Sequence, residues 1–140
     1  METFFQLSNL LVVPFWLLMI LLPHWRWTKR IMQSLWIVVP VAFFYAILVA
    51  GDFTVLLGEL ASPSLTAIAA LLGTPEGALI GWLHFLAFDL FVGRWAYLDS
   101  RAHGFSAWFV SPILFFVFMF GPLGLLLYLA MRALLLRRNA

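Results

Sequence analysis

The chain has 140 residues, of which 65% are hydrophobic, 18% are aromatic and only 10% are Asp, Glu, Lys or Arg. A soluble domain carries roughly 25% charged residues and a largely polar shell, so this composition excludes a soluble or disordered chain. The net charge of +2 is too small for a nucleic-acid footprint, and the absence of Cys excludes disulfides, thiolate metal sites and a thiol nucleophile.

The expectation is therefore one all-α integral membrane bundle over residues 1–140. Four apolar runs stand out, at about 4–22, 31–50, 78–98 and 107–131. About 20 residues at 1.5 Å rise cross a ~30 Å hydrocarbon core. A membrane barrel would show alternation and frequent turns, and these runs are continuous.

The first run reads as a retained span. Its only early charge is Glu2, and no small-residue cleavage site precedes Pro23. Pro14 and Pro40 fall inside spans one and two, where packing kinks are expected. Residues 23–30, Pro-His-Trp-Arg-Trp-Thr-Lys-Arg, read as a short basic loop with interfacial tryptophans, on the cytoplasmic or stromal face. His24 reads as a boundary residue.

Segment 51–77 carries Asp52, Glu59 and Glu76 but neither Lys nor Arg. Residues 53–73 are long enough to span, yet Glu59, Ser62, Pro63 and Ser64 interrupt them. Charge bias favours five crossings, because the first loop and the C-terminal tail then share a side. The polar interruption favours four. We take four, with 53–73 re-entrant or interfacial, and five as the alternative.

Span three holds the chemistry. It contains His84, Asp89 and Arg94 inside one apolar helix, and Asp89 is near its middle. An ionised Asp facing lipid costs roughly 2.5–3.5 kcal/mol on insertion scales, so such a residue is a functional candidate. Successive members of the set are five residues apart, or about 140° around the axis, and do not form one stripe. Such a helix belongs at the centre of its bundle. Trp82 and Gly93 share a face with Asp89, and Gly93 permits close approach of another helix or a flat ligand. Asp99, Arg101 and His103 form a polar corner at the exit. A buried His–Asp–Arg set can move protons or hold a polar end group. Equally, Asp89 and Arg94 could pair with other helices and hold the packing together. No ligand-spaced pair suggests a metal, and no phosphate loop, dinucleotide fingerprint or nucleophile elbow is present. The Gly121-Pro122-Leu123-Gly124 stretch breaks span four, as a packing kink or as a notch beside span three. The 15 Phe, 7 Trp and 3 Tyr fit packing against a long apolar or polyene ligand.

The run Trp82-x-His84-x-Leu86-Ala87-Phe88-Asp89-Leu90-Phe91-Val92-Gly93-Arg94-Trp95-x-x-x-Asp99, followed by Phe120-Gly121-Pro122-Leu123-Gly124, resembles the abscisic-acid-deficient-four-like family of small integral membrane proteins. The resemblance implies four spans and a place in xanthophyll metabolism. Plant and algal members are implied in forming neoxanthin from violaxanthin in plastid membranes. That reaction would be an isomerisation without net redox change, needing a general acid, a general base, an apolar slot and no cofactor. His84 and Asp89 stand at the family's His and Asp and could transfer the protons. Arg94, at the family's Arg, could orient Asp89 or stabilise an oxyanion. Trp82, Phe88, Gly93, Trp95, Asp99 and Pro122 are the expected substrate contacts. The chain shows no transit extension rich in Ser and Arg, so it resembles a bacterial member more than a plant one. A bacterial plasma membrane or a thylakoid is the expected location. A non-catalytic carotenoid- or lipid-binding protein, or a structural subunit with a membrane-complex or oligomeric partner, is the alternative.

Overall fold

The computed structural model describes residues 1–138, and among these it contains helices and no strand. In chain order the helices are α1 (Glu2–Leu21), α2 (Arg26–Gln33), α3 (Val39–Gly51), α4 (Phe53–Ala61), α5 (Leu65–Leu72), α6 (Pro75–Ala102), α7 (Ala107–Phe120) and α8 (Pro122–Arg138). A 3-10 turn, Leu35–Ile37, precedes α3. By length and composition α1 and α6 can each cross a membrane. A third candidate exists if α3 and α4 are taken together, although they meet at an angle of 89°.

The central element is α6, 28 residues long. Thr74 caps its first turn by accepting from the Gly77 amide at 3.0 Å, with Pro75 at the start, where its missing N–H costs nothing. Glu76 and Arg101 occupy the turns where the helix dipole favours their charges. The core is one cluster around this helix. Leu79, Leu83, Leu86, Leu90 and Tyr97 of α6 meet Val12, Trp16 and Met19 of α1, Val41 of α3, and Val110, Leu114 and Val117 of α7.

Contacts define two ends of the bundle. At one, Met1 and Glu2 lie beside Pro75 and Ala78, and Phe4 and Leu7 lie beside Phe44 and Leu48 of α3. At the other, His24 meets Arg101 and the Tyr97 hydroxyl donates to the Pro23 carbonyl at 2.8 Å. So α1 and α6 run from the first end to the second, and α3 returns. Glu2, Asp52 and Glu76 mark the first end. Arg26, Lys29, Arg30, Arg101 and Arg132 mark the second.

Three expectations are corrected. Residues 23–30 are not a plain loop, because α2 begins at Arg26. Span two does not run from 31 to 50. The helix stops at Ser34, whose side-chain oxygen accepts from the Trp36 amide at 3.2 Å and so offers the backbone a local alternative. Pro40 therefore sits in the first turn of α3, where no kink arises. By contrast α1 runs unbroken through Pro14. The run 107–131 is not one helix. It breaks at Gly121, whose φ of 34° suits glycine, and α8 folds back along α7. The fold-back is visible at Gly124, where an added Cβ would strike the backbone of Val117, seven residues earlier. In a continuous helix those residues stand about 10 Å apart along the axis. Segment 53–73 forms α4 and α5, with Ser64 capping α5 through the Ala67 amide at 3.1 Å.

Gly124→Val should destabilise the protein by about 3 kcal/mol, because the α7–α8 contact has no space for a side chain. Gly58→Ala, in open surroundings, should be neutral or stabilise by about 0.5–1 kcal/mol. Thermal unfolding in detergent measures both, and equal stability of the two variants would contradict the fold-back.

Candidate functional site on the open face of the central helix

Helical spacing splits α6 into two faces. Leu83, Leu86, Leu90, Gly93 and Tyr97 lie on the buried side. His84, Phe88, Phe91 and Trp95, spaced by four, three and four, form an exposed stripe opposite. Phe88 is 59% exposed and Trp95 37%, so the outer part of the stripe is the more open. The stripe runs 11 residues, or about 16 Å. The bundle borders it on both sides. The His84 ring lies 4.7 Å from Phe88 and 5.7 Å from Tyr45 of α3. At the other end Trp95 meets the edge of Tyr128 of α8 at 5.4 Å.

The ionisable groups of α6 go to different neighbours. Asp89 is half-buried and its carboxylate abuts Gly121, at the tip of the α7–α8 hairpin. Pro122 is the next residue and opens α8. His84 and Asp89 thus stand on either side of Phe85, Phe88 and Val92, which fill the roughly 140° between them. Arg94 points away from both. Its Nε donates to the Ser34 carbonyl at 3.3 Å and its Nη2 to the Gln33 carbonyl at 3.0 Å. Those carbonyls end α2, where a cation is favoured.

The remaining expected contacts are scattered. The indole of Trp82 donates to Asn9 Oδ1 at 3.0 Å and packs against Phe5, towards α1. Gly93 lies beneath the Trp16 ring, where even a methyl group would clash. Trp95 and Phe88 belong to the stripe. Asp99 lies at the basic end and is the best-connected carboxylate. It accepts from the Tyr128 hydroxyl at 2.6 Å, from Arg132 at 2.8 and 3.2 Å, and stands 3.4 Å from His103. Among the described residues no three His, Asp or Glu side chains gather to hold a metal ion.

Sequence reasoning missed Tyr45, Tyr128 and Arg132. The last two are four apart on α8 and so share a face, a signal that could have marked them. Tyr45 carries no such signal, because its placement depends on how α3 packs.

The family model described as ABA4-like, ABA DEFICIENT 4-like, matches residues 3–128. Neither curated proteins nor solved structures give a match.

Tyr128→Phe should cost about 1.5–3 kcal/mol, since its hydroxyl donates to a carboxylate. In a double-mutant cycle with Asp99→Asn, measured by thermal unfolding, the two changes should couple by about 1 kcal/mol or more. Simple additivity would show that the contact does not hold α8 in place.

Proposed function

Because the chain belongs to the ABA4-like family, we propose that it is a membrane protein of xanthophyll metabolism that receives an epoxy carotenoid along the open face of α6 and isomerises it. The observation that carries this reading is the open apolar sector of Phe85, Phe88 and Val92, flanked by two proton-transfer groups, His84 and Asp89. A polyene laid over Phe85, Phe88 and Val92 would bury its chain against aromatic rings, with an imidazole on one side and a carboxyl group on the other. A polar end group of such a ligand suits the hydroxyl of Tyr45, half-buried beside His84.

The reaction is internally balanced. The epoxide C–O bond on the polyene side breaks as its oxygen gains a proton. The adjacent polyene carbon loses a proton, and the electron pair of that C–H bond completes an allene. The product is an allene and a tertiary alcohol, with no electron gained or lost. One group must donate and one must accept, which is the work assigned to His84 and Asp89. Arg94, bonded to the end of α2, has a positioning role in this proposal.

The proposed membrane placement follows the charges. With α1, α3 and α6 crossing, the hairpin α7–α8 enters from the basic end and returns to it. Arg26, Lys29, Arg30, Arg101, Arg132 and Arg137 then share one side, and Glu2, Asp52 and Glu76 the other. This arrangement satisfies the charge bias that four full crossings cannot.

The test is conversion of violaxanthin by protein in lipid nanodiscs, followed by chromatography of the pigments. His84→Gln and Asp89→Asn should each lower the rate about 10²–10⁴-fold while pigment remains bound. Bound but unconverted pigment in the wild type would favour a carotenoid-binding protein. Tags at the two termini should report opposite sides of the membrane, and reporters on the same side would refute the placement.

A further inference from the structure

A second cavity lies away from the stripe, at the basic end between the end of α1 and the first three turns of α7. Its volume is 810 Å³, within the roughly 300–1,000 Å³ of small-ligand pockets. Its walls are apolar, chiefly Ile20, Leu21, Phe115 and Phe116, while its mouth is polar, with Arg101, His24, Ser106 and Ser111.

Arg101 is the unusual member. One of its terminal nitrogens meets His24 Nδ1 at 3.2 Å and the other donates to the Phe105 carbonyl. Its Nε is buried and has no partner. The ion pairs among the described residues both use Asp99, with His103 and Arg132, so Arg101 has no carboxylate of its own there. A guanidinium facing an apolar cavity without a counter-charge is costly, and an anion would relieve it. The surroundings add to the demand, because Arg26, Lys29 and Arg30 of α2 lie at the same end.

The dimensions suit a lipid. From Ser106 to Phe116 the cavity follows ten residues of α7, or about 15 Å, which is half the thickness of a hydrocarbon core. Trp108, 88% exposed beside the mouth, has the amphipathic ring found at the headgroup level.

We propose that this groove binds an anionic membrane phospholipid, with its phosphate on Arg101, the hydroxyls of Ser106 and Ser111 at the rim, and one acyl chain along Phe115 and Phe116. The site is separate from the open face of α6 and stands whether or not that face handles carotenoids. His24 orients the guanidinium.

Native mass spectrometry of the full chain in detergent tests this, with dioleoyl phosphatidylglycerol or dioleoyl phosphatidylcholine as the probe. The first phosphatidylglycerol should bind about tenfold more tightly than phosphatidylcholine: both offer a phosphate to Arg101, but the choline ammonium cancels that charge and is repelled by the guanidinium and by the cations of α2. Arg101→Gln should bring the two lipids to parity, whereas Arg30→Gln, outside the groove, should keep most of the preference. Ser111→Trp, which fills the groove and keeps the charge, should weaken binding of the first lipid. Inorganic phosphate should not compete, and competition by it would reduce the site to a phosphate site without a lipid. Equal binding of both lipids to the wild type would overturn the proposal. So would a preference that survives either Arg101→Gln or Ser111→Trp in folded protein, since it would then come from the diffuse charge of α2. Should Arg101→Gln fail to fold, Ser111→Trp decides.

Discussion

The structure depends on one constraint: α6 carries polar groups through an apolar bundle, and Arg94, Tyr97 and Asp99 take their partners from neighbouring segments. Lipid offers none, so the neighbouring segments are placed where α6 needs them. Arg94 takes the carbonyls of Gln33 and Ser34, which ties the end of α2 to α6. The Tyr97 hydroxyl takes the Pro23 carbonyl just beyond α1, and Thr28 takes that of Leu22 at 2.8 Å. The connector from α1 to α3 is thus held by side chains that satisfy backbone groups no helix can pair. The hairpin α7–α8 is held at Asp99 through Tyr128 and Arg132, and its tip lies beside Asp89.

This division leaves a sector of α6 without protein cover, and Phe85, Phe88 and Val92 lie in it. In a membrane an exposed apolar face needs no explanation. The arrangement becomes specific because His84 and Asp89 border the same sector. The groove of Arg101 uses a different part of the bundle, on the far side of α7, where polar and apolar lining are segregated. The hairpin sets one border of the open face, beside Asp89. A fourth full crossing would leave neither the tip beside Asp89 nor the return of Arg132 to Asp99.

Composition and run length made the helical class legible, and the ionisable residues of 84–94 pointed to the central helix. The stop at Ser34 was not legible, because Leu35, Trp36, Ile37 and Val38 carry the apolar run straight on after Gln33 and Ser34. Only the cap and the Arg94 contacts mark the break. The fold-back at Gly121 was half legible. Gly-Pro announced a break, but a kink and a reversal look alike until Gly124 is seen against Val117. Charge bias carried the missing information. It disagreed with four crossings, and the placement proposed above, with α7–α8 reversing, accommodates it without a fifth. Within the site, the angular separation of His84, Asp89 and Arg94 was legible from their spacing. Their partners were not, because Tyr45, Gly121 and the Gln33 carbonyl come from elements far apart in the chain.

The last apolar run reverses midway, and α8 lies back along α7. Spin labels at positions 109 and 134, in nanodiscs, test it by a single distance. Phe109 and Leu134 line one cavity in the folded-back arrangement, so the labels should report two packed helices, with axes about 8–10 Å apart. A continuous helix over the same residues would separate them by about 37 Å, and a distance near that value would contradict the account.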